Sequence, residues 1–349
     1  MTVLFPVRDL HPRHGIHEPT SGTPLRLPGS VRRTTTIDML RPAGPQGPLE
    51  LAGHGRDLLT GSHGPGRVMA LASCRGVIDF LGGRLLTELD TSARRPLDGL
   101  LGARVSSGFR GLLDETDPSL NTDDTLLYQL LDDFPVATLV SGHAVGAALR
   151  TGQELPAMSG RPGFMPDMCA GFATGGTIMN GVGADGRPPV VTGPDAPALG
   201  DDKDPDAWHA TGPLAPGSMR RARRIDVRPG PVTAADGAGP APSATVDAMF
   251  RDSYVLSDGT ETVIHEYTLS ARIDGGNVTT CAAEPRVLPW IECPAAAASA
   301  GRLAGQPLLT LRSHVRASFA GTSTCTHLND MLRALADVPA LLELAATSN

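Results

Sequence analysis

The sequence is poor in features that identify several large classes of protein. Aromatic residues make up only 4% of the chain, so a hydrophobic core must consist mainly of Leu, Val, Ile and Ala. No run approaches the roughly twenty apolar residues that a membrane-spanning helix requires. The N-terminus lacks the basic and apolar segments typical of a signal peptide. We therefore expect a cytoplasmic protein without a membrane partner.

Cysteine is scarce, and no two cysteines form a C-x-x-C pair. The 5 cysteines are an odd number at wide, irregular spacing, which argues against a disulfide framework and for a reducing compartment. The absence of C-x-x-C argues against a structural zinc ribbon. The net charge of -7 and the shortness of the one basic cluster, "MRRARRID", argue against a nucleic-acid partner.

Motifs for the common cofactors are also missing. The chain contains no phosphate loop and no G-x-S-x-G, H-E-x-x-H or G-x-G-x-x-G motif in a suitable context. Nicotinamide, ATP and flavin chemistry therefore have no support in the sequence, and we expect chemistry without a cofactor.

The chain contains five short marks that each occur twice in the same order. The pairs are "RRTTTID" and "RRARRID", "RD" and "RD", "VIDFLGG" and "RIDGG", "LLGARV" and "RLAGQP", and "NTDDTLLYQLLDDFP" and "CTHLNDMLRALADVP". The separation between partners drifts slowly along the chain, as a few loop insertions would produce. The pattern indicates an internal duplication. The alternative is that two α+β domains share common turns and helices.

The two copies differ where reactive side chains occur. Cys325 aligns with Asn121 and His327 aligns with Asp123, while His265 and Cys293 have no His or Cys at the matching places. We therefore predict that the first copy is a degenerate scaffold and that the second copy carries the functional site.

Composition divides the chain into four segments. Residues 1–30 are rich in Pro, Gly and His and are interpreted as an extended N-terminal arm. Residues 31–146 form the degenerate repeat, residues 147–217 form a Gly/Pro-rich connecting segment, and residues 218–349 form the repeat with the site. Whether the two copies pack within one chain or pair between chains stays open, so a homodimer is one of two arrangements.

The residue pattern of the second copy gives the clearest prediction of a fold. Alternating runs end in turn residues, and "ARIDGGNVTT" is typical of a hairpin with Asp274, Gly275 and Gly276 at its tip. Helical patterns follow these strands up to the C-terminus. Strands followed by helices indicate an α+β fold, so we predict two related halves, each a small antiparallel sheet covered by helices.

The second copy resembles a bacterial family known as a domain of unknown function, number 2889. The resemblance rests on "RRARRID", the following "RD", "IHEYTLSARID", the lone Cys293 after prolines, "LAG" and above all "CTHLNDML". The chain departs from the family at Glu266 and Tyr267, where Asp-Met is common. The resemblance implies no established activity. A looser fold-level likeness links the strand–turn–strand–Cys–helix order to iron-sulfur scaffold proteins.

Residues of the second copy supply the candidate site. His265 lies on a strand and is predicted to act as a general base. Cys293, Cys325 and His327 lie at two helix starts and are predicted to line the same pocket, with Glu266 or Asp330 as a second acid or base. Arg272, Arg316 and Tyr267 are the candidate substrate-binding residues, the arginines because guanidinium groups bind carboxylates.

Three functions follow from this set. The first is a lyase, dehydratase or isomerase that runs acid/base chemistry on a small, partly apolar, aromatic or carboxylate-bearing catabolic substrate. The second is a metal-binding or iron-sulfur accessory protein, in which His265, Cys293, Cys325 and His327 would bind zinc or iron. The third is a non-catalytic interaction domain.

Overall fold

The computed structural model describes residues 14–61, 66–150, 166–181, 190–200, 203–230 and 243–347. Strands of these residues form one antiparallel sheet. They are β1 (Ile16–His17), β2 (Val31–Leu40), β3 (Leu49–Thr60), β4 (Gly66–Asp79), β5 (Leu85–Thr91), β6 (Met219–Pro229), β7 (Ala244–Val255), β8 (Glu261–Asp274) and β9 (Asn277–Leu288).

The strand order is β1-β9-β8-β7-β6-β2-β3-β4-β5. The first strands of the two halves, β2 and β6, pair antiparallel at the centre, from Val31↔Val227 to Met39↔Met219. The prediction of two separate small sheets is therefore corrected to one continuous sheet. The physical reason is that pairing these two strands removes two exposed sheet edges that would otherwise need partners.

Helices cover one face of this sheet. In the described residues the α-helices are α1 (Phe109–Thr116), α2 (Leu120–Asp123), α3 (Thr125–Asp132), α4 (Phe134–Val140), α5 (Gly142–Arg150), α6 (Thr177–Asn180), α7 (Leu311–Ser318), α8 (Thr326–Ala334) and α9 (Val338–Ala346). A longer 3-10 helix spans Cys293–Leu303. Strands and helices alternate as blocks, so the α+β class is confirmed. No helix among the described residues is long and apolar enough to cross a membrane.

The apolar core lies between the sheet and these helices. Alternation along each strand sends every second side chain to the helical face, where Phe250, Tyr267 and Leu269 pack against Leu328 and Leu332 of α8. The corresponding strands of the first half pack against α3 and α4 in a second cluster. The hairpin predicted between β8 and β9 is present, and Gly275 and Gly276 turn it with positive φ angles of 58° and 75°.

The opposite face carries ion pairs and is partly covered by extended chain. Arg26, from the region predicted as an N-terminal arm, binds Asp204 at 2.7 Å. His209 is buried between the hydroxyls of Thr34 and Thr36, at 2.9 and 3.0 Å from its ring nitrogens. Residues 1–13 of the predicted arm and parts of the predicted connecting segment lie outside the described residues.

Buried arginine–aspartate pairs hold the centre of the helical face. Arg33 of β2 binds Asp57 of β3 through two hydrogen bonds of 2.7 Å. Its third nitrogen binds Asp337, which precedes α9 in the other half, at 3.1 Å, and Asp337 also binds Arg312. An arginine of the first half is therefore neutralised in part by an aspartate of the second half.

We predict that Asp337→Asn lowers the free energy of unfolding by about 3–5 kcal/mol, because it leaves the Arg312 guanidinium without its carboxylate and removes one of the two carboxylates that the buried Arg33 binds. Urea denaturation measures the change. The control is Glu284→Gln, which breaks an exposed pair with Arg286 and should change stability by about 1 kcal/mol or less. Equal stability of Asp337→Asn and wild type would contradict this account.

Candidate functional site

The candidate site begins with a second buried pair, on β6 and β7. Arg221 donates two hydrogen bonds of 2.8 Å to the two carboxylate oxygens of Asp252. Both side chains are fully buried. Arg221 also binds Asp330 of α8 at 3.1 Å and lies 5.2 Å from the ring centroid of Phe250. Asp252 is thus held at a fixed position on the helical face of the sheet.

Two histidines stack beside this carboxylate. His265 lies opposite Asp252 on β8, at a β-bulge, and its Nδ1 is 3.4 Å from Asp252 Oδ2. His327 is the second residue of α8, and its ring stacks on His265 with centroids 3.9 Å apart and an interplanar angle of 20°. Strand pairing and the helix start therefore bring together two imidazoles that are distant in sequence.

The surroundings set the charge of these groups. Burial opposes ionisation of Asp252, but the Arg221 guanidinium outweighs it and holds the pKa of Asp252 well below its usual range. Burial and then the neighbouring His265 lower the pKa of His327 well below its ordinary value. The site therefore combines a fixed negative carboxylate with a neutral His327.

Sulfur and phenol groups border His327. Cys325 precedes α8, and its Sγ is 3.7 Å from His327 Nδ1. Tyr267 follows His265 on the same strand face, is fully buried and packs its ring 5.8 Å from that of Phe250. Burial, and then the neighbouring Cys325 and Cys293, raise the pKa of the Tyr267 phenol well above its usual range. Burial raises the pKa of Cys325 to about 12 and that of Cys293 well above its usual range.

Asp330 belongs to an ion network behind the histidines. We call this set the central ion network; it pairs four arginines with four aspartates. Its members are Arg110, Arg221, Arg223, Arg333, Asp132, Asp133, Asp252 and Asp330. Asp330 contacts three of the arginines, so it supports the site and does not face the histidines as a free acid or base.

Three predicted site residues lie elsewhere. Glu266 points to the opposite face, because strand alternation reverses its direction from that of His265, and there it binds Arg251 and the Thr20 amide. Arg272 is exposed near the far end of β8, on that same opposite face. Arg316 of α7 pairs with Asp114 of α1 at 2.9 Å. The structure does not bring these residues to the stacked histidines.

Sequence reasoning missed the two residues that anchor the site. Asp252 is the aspartate of the repeated "RD" mark, and Arg221 is the second arginine of "RRARRID". In the sequence both motifs indicate a duplication and do not by themselves indicate a functional site. The feature that could have identified these residues is strand alternation, which puts Arg221, Asp252 and His265 on one face of the sheet.

One group of three side chains in the described residues could hold a metal ion. Ligand atoms of Asp252, His265 and His327 lie within 4.8 Å of one another. The cysteines of the predicted zinc or iron set, Cys293 and Cys325, are not in this group. A metal ion lies near the plane of each imidazole that binds it. Because the two rings are stacked 20° from parallel, binding one ion through both requires a ring to rotate.

The second half is similar to a known family. Residues 219–341 match the family model "Protein of unknown function (DUF2889)". The predicted resemblance of the C-terminal half is thus confirmed, and all residues of the site lie within the matched range. Neither the curated proteins nor the solved structures contain a significant match to the chain.

We predict that Cys325 does not react with iodoacetamide in the folded protein at pH 8. Its raised pKa, about 12, keeps almost all of the thiol protonated at pH 8, and only the thiolate is nucleophilic. Mass spectrometry of peptides measures the labelling, and the urea-unfolded protein is the control in which Cys325 reacts. Labelling of Cys325 at the same rate in both states would refute this description.

Proposed function

We propose that the protein is a small-molecule enzyme that transfers protons without a cofactor, as a lyase, dehydratase or isomerase. One observation carries the proposal: two imidazoles stack at 3.9 Å beside a buried carboxylate that is 3.4 Å from one of them. Carboxylate-oriented histidines are the commonest general acids and bases. Five free cysteines support a reducing, cytoplasmic setting.

His265 is the general base in this proposal. Its Nδ1 faces Asp252, so the carboxylate favours the tautomer with the proton on Nδ1 and leaves Nε2 as the proton acceptor. Asp252 also stabilises the imidazolium that forms when Nε2 takes a proton from the substrate. Arg221 fixes Asp252 and prevents it from being protonated in place of the histidine.

His327 is the neutral member of the pair. Two imidazoles in van der Waals contact repel each other when both are charged, so the pair holds at most one extra proton. The proton that His265 takes therefore stays on His265 until it returns to a second position of the substrate, while His327 donates or accepts a hydrogen bond. The fully buried rings of Phe250 and Tyr267 make the interior side of the pair apolar.

We further propose that the two halves arose by duplication. Arg33–Asp57 in the first half and Arg221–Asp252 in the second are bidentate pairs at matching places. The β-bulge follows the aspartate in both halves, at Asp57/Leu58 and Asp252/Ser253. The partner across the strand is Ala70 in the first half and His265 in the second, which supports a scaffold role for the first copy.

The test is exchange of substrate hydrogen with solvent. Partly apolar carboxylic acids and aromatic compounds are incubated with the protein in deuterium oxide, and NMR detects the loss of carbon-bound hydrogen. We expect exchange for at least one compound, and His265→Asn should reduce the rate by at least about 100-fold, the usual contribution of a general base.

The control is His54→Asn, which changes an exposed histidine on the opposite sheet face and should leave the exchange rate unchanged. Circular dichroism checks that each variant folds. Undiminished exchange by folded His265→Asn protein would remove His265 from the mechanism.

A metal-binding function is the second candidate, and a specific observation favours it. Among the described residues, His327 Nε2 is buried without a hydrogen-bond partner and His265 Nδ1 has only its 3.4 Å contact with Asp252, and a cation bound between them and Asp252 would satisfy both. Against it, Asp252 is already neutralised by Arg221. Elemental analysis of the purified protein decides: one zinc or iron per chain, lost in both Asp252→Asn and His327→Asn, would replace the metal-free mechanism. We expect no stoichiometric metal.

A further inference from the structure

Two arginines of the first half stack on one phenylalanine, far along the sheet from β8, and a third arginine lies next to one of them. Arg41 follows β2, and its Cζ lies 4.3 Å from the ring centroid of Phe80. Arg84 precedes β5, and its Cζ lies 5.3 Å from the same centroid. Arg104 is the third, placed next to Arg84 by the bridge between Leu85 and Arg104. We call Arg41, Arg84, Arg104 and Phe80 the arginine cluster.

The arginine cluster contains no carboxylate. Every arginine of the central ion network has an aspartate within ion-pair distance, but none of these three forms an ion pair with any residue that the structure describes. Within the described ranges, Arg41 reaches only neutral oxygens, those of Gly47 at 3.5 Å and Ser141 at 3.3 Å. Its Nε is buried and has no acceptor among the described residues. Such a donor loses hydration without compensation.

The electrostatics agree with this geometry. Burial alone lowers the pKa of Arg41 to about 10. Burial and then the neighbouring Arg104 lower the pKa of Arg84. The charges of Arg84 and Arg104 thus lie close enough to repel each other in a chain whose net charge is -7, and Arg41 is held beside the same ring as Arg84.

The backbone of Arg84 is strained. Its φ angle is 62°, in the left-handed region, and the preceding Gly83 has φ 117°. A side chain at such an angle costs on the order of 1–3 kcal/mol. Glycine would occupy this position without strain, so a guanidinium group here has a cost that its local contacts do not explain. Strain of this kind is common where a side chain binds a ligand.

We propose that the arginine cluster binds a small oxyanion, a carboxylate or a phosphate. Guanidinium groups bind both through paired hydrogen bonds. The anion would supply the missing acceptor for Arg41 Nε and neutralise the repulsion between Arg84 and Arg104. This site lies in the half without stacked histidines, so it is independent of the proton-transfer proposal.

Stacking of arginine on an aromatic ring is a sufficient explanation for a single arginine, and the second half supplies such a case. Arg302 lies 4.2 Å from the ring centroid of Phe319 and donates to the Ser318 carbonyl. It has no arginine neighbour described at the same ring. Arg302→Gln is therefore the matched control, since it removes an arginine–phenylalanine contact outside the arginine cluster.

The experiment is isothermal titration of the full-length protein with sodium phosphate and with sodium benzoate in a low-salt buffer. We expect wild type to bind at least one of them, with affinity falling as salt is added. Arg84→Gly and Arg41→Gln should each weaken binding by at least about tenfold, or about 1.4 kcal/mol. Arg302→Gln should bind as wild type does.

The two probes distinguish the ligand chemistry. Binding of phosphate alone assigns a phosphate site, and binding of benzoate alone assigns a carboxylate site. Arg84→Gly keeps the result interpretable, because glycine suits φ 62° and the variant should fold at least as stably as wild type. The proposal is overturned if neither probe binds wild type, or if Arg302→Gln weakens binding as much as the two cluster variants.

Discussion

Bidentate pairing between buried arginines and aspartates is the interaction on which the rest of this structure depends. The guanidinium groups of Arg33 and Arg221 lie on the two central strands, and each binds an aspartate of the next strand and an aspartate of the other half. Charges buried this deeply are tolerated only when they are paired and hydrogen-bonded. The pairs therefore fix the register of the central strands. They also fix the positions at which α8 and α9 pack on the sheet.

This constraint also explains why the histidines are where they are. Asp252 is held by Arg221, the bulge after Asp252 orients His265, and Asp330 holds α8 close enough for His327 to stack on His265. A neutral apolar core could bring the same elements together, but it would not fix a carboxylate next to an imidazole. The charge network thus serves both the fold and the proposed chemistry.

Much of the second half could be predicted from its sequence, because its signals are local. Alternation of apolar and polar residues predicts the strands, and Asp274-Gly275-Gly276 predicts the hairpin. The "CTHL" motif indicates the family and points to His327. The single continuous sheet could not be predicted, because alternation within a strand does not show which other strand will pair with it. Glu266 is predicted as a second acid or base of the site, but the strand sends it to the face opposite His265. Arg221 and Asp252 were missed because their roles depend on contacts between strands.

The two halves differ in the use of their arginines. In the second half most are matched by acids, and the described site is built from histidines over a balanced network. In the first half the pair Arg33–Asp57 is present, while the arginine cluster around Phe80 has no acid partner among the residues that the structure describes. The half without the stacked histidines therefore has a distinct arrangement of charge.

The central position of β2 has a consequence for synthesis of the chain. Its partner β6 is far along the sequence, so β2 leaves the ribosome with one side unpaired for on the order of tens of seconds. During that time the unpaired backbone groups of β2 can form hydrogen bonds with strands of other chains. The two arginines and three threonines of "VRRTTTID" keep that edge hydrophilic and hydrated, which limits aggregation before the second half emerges.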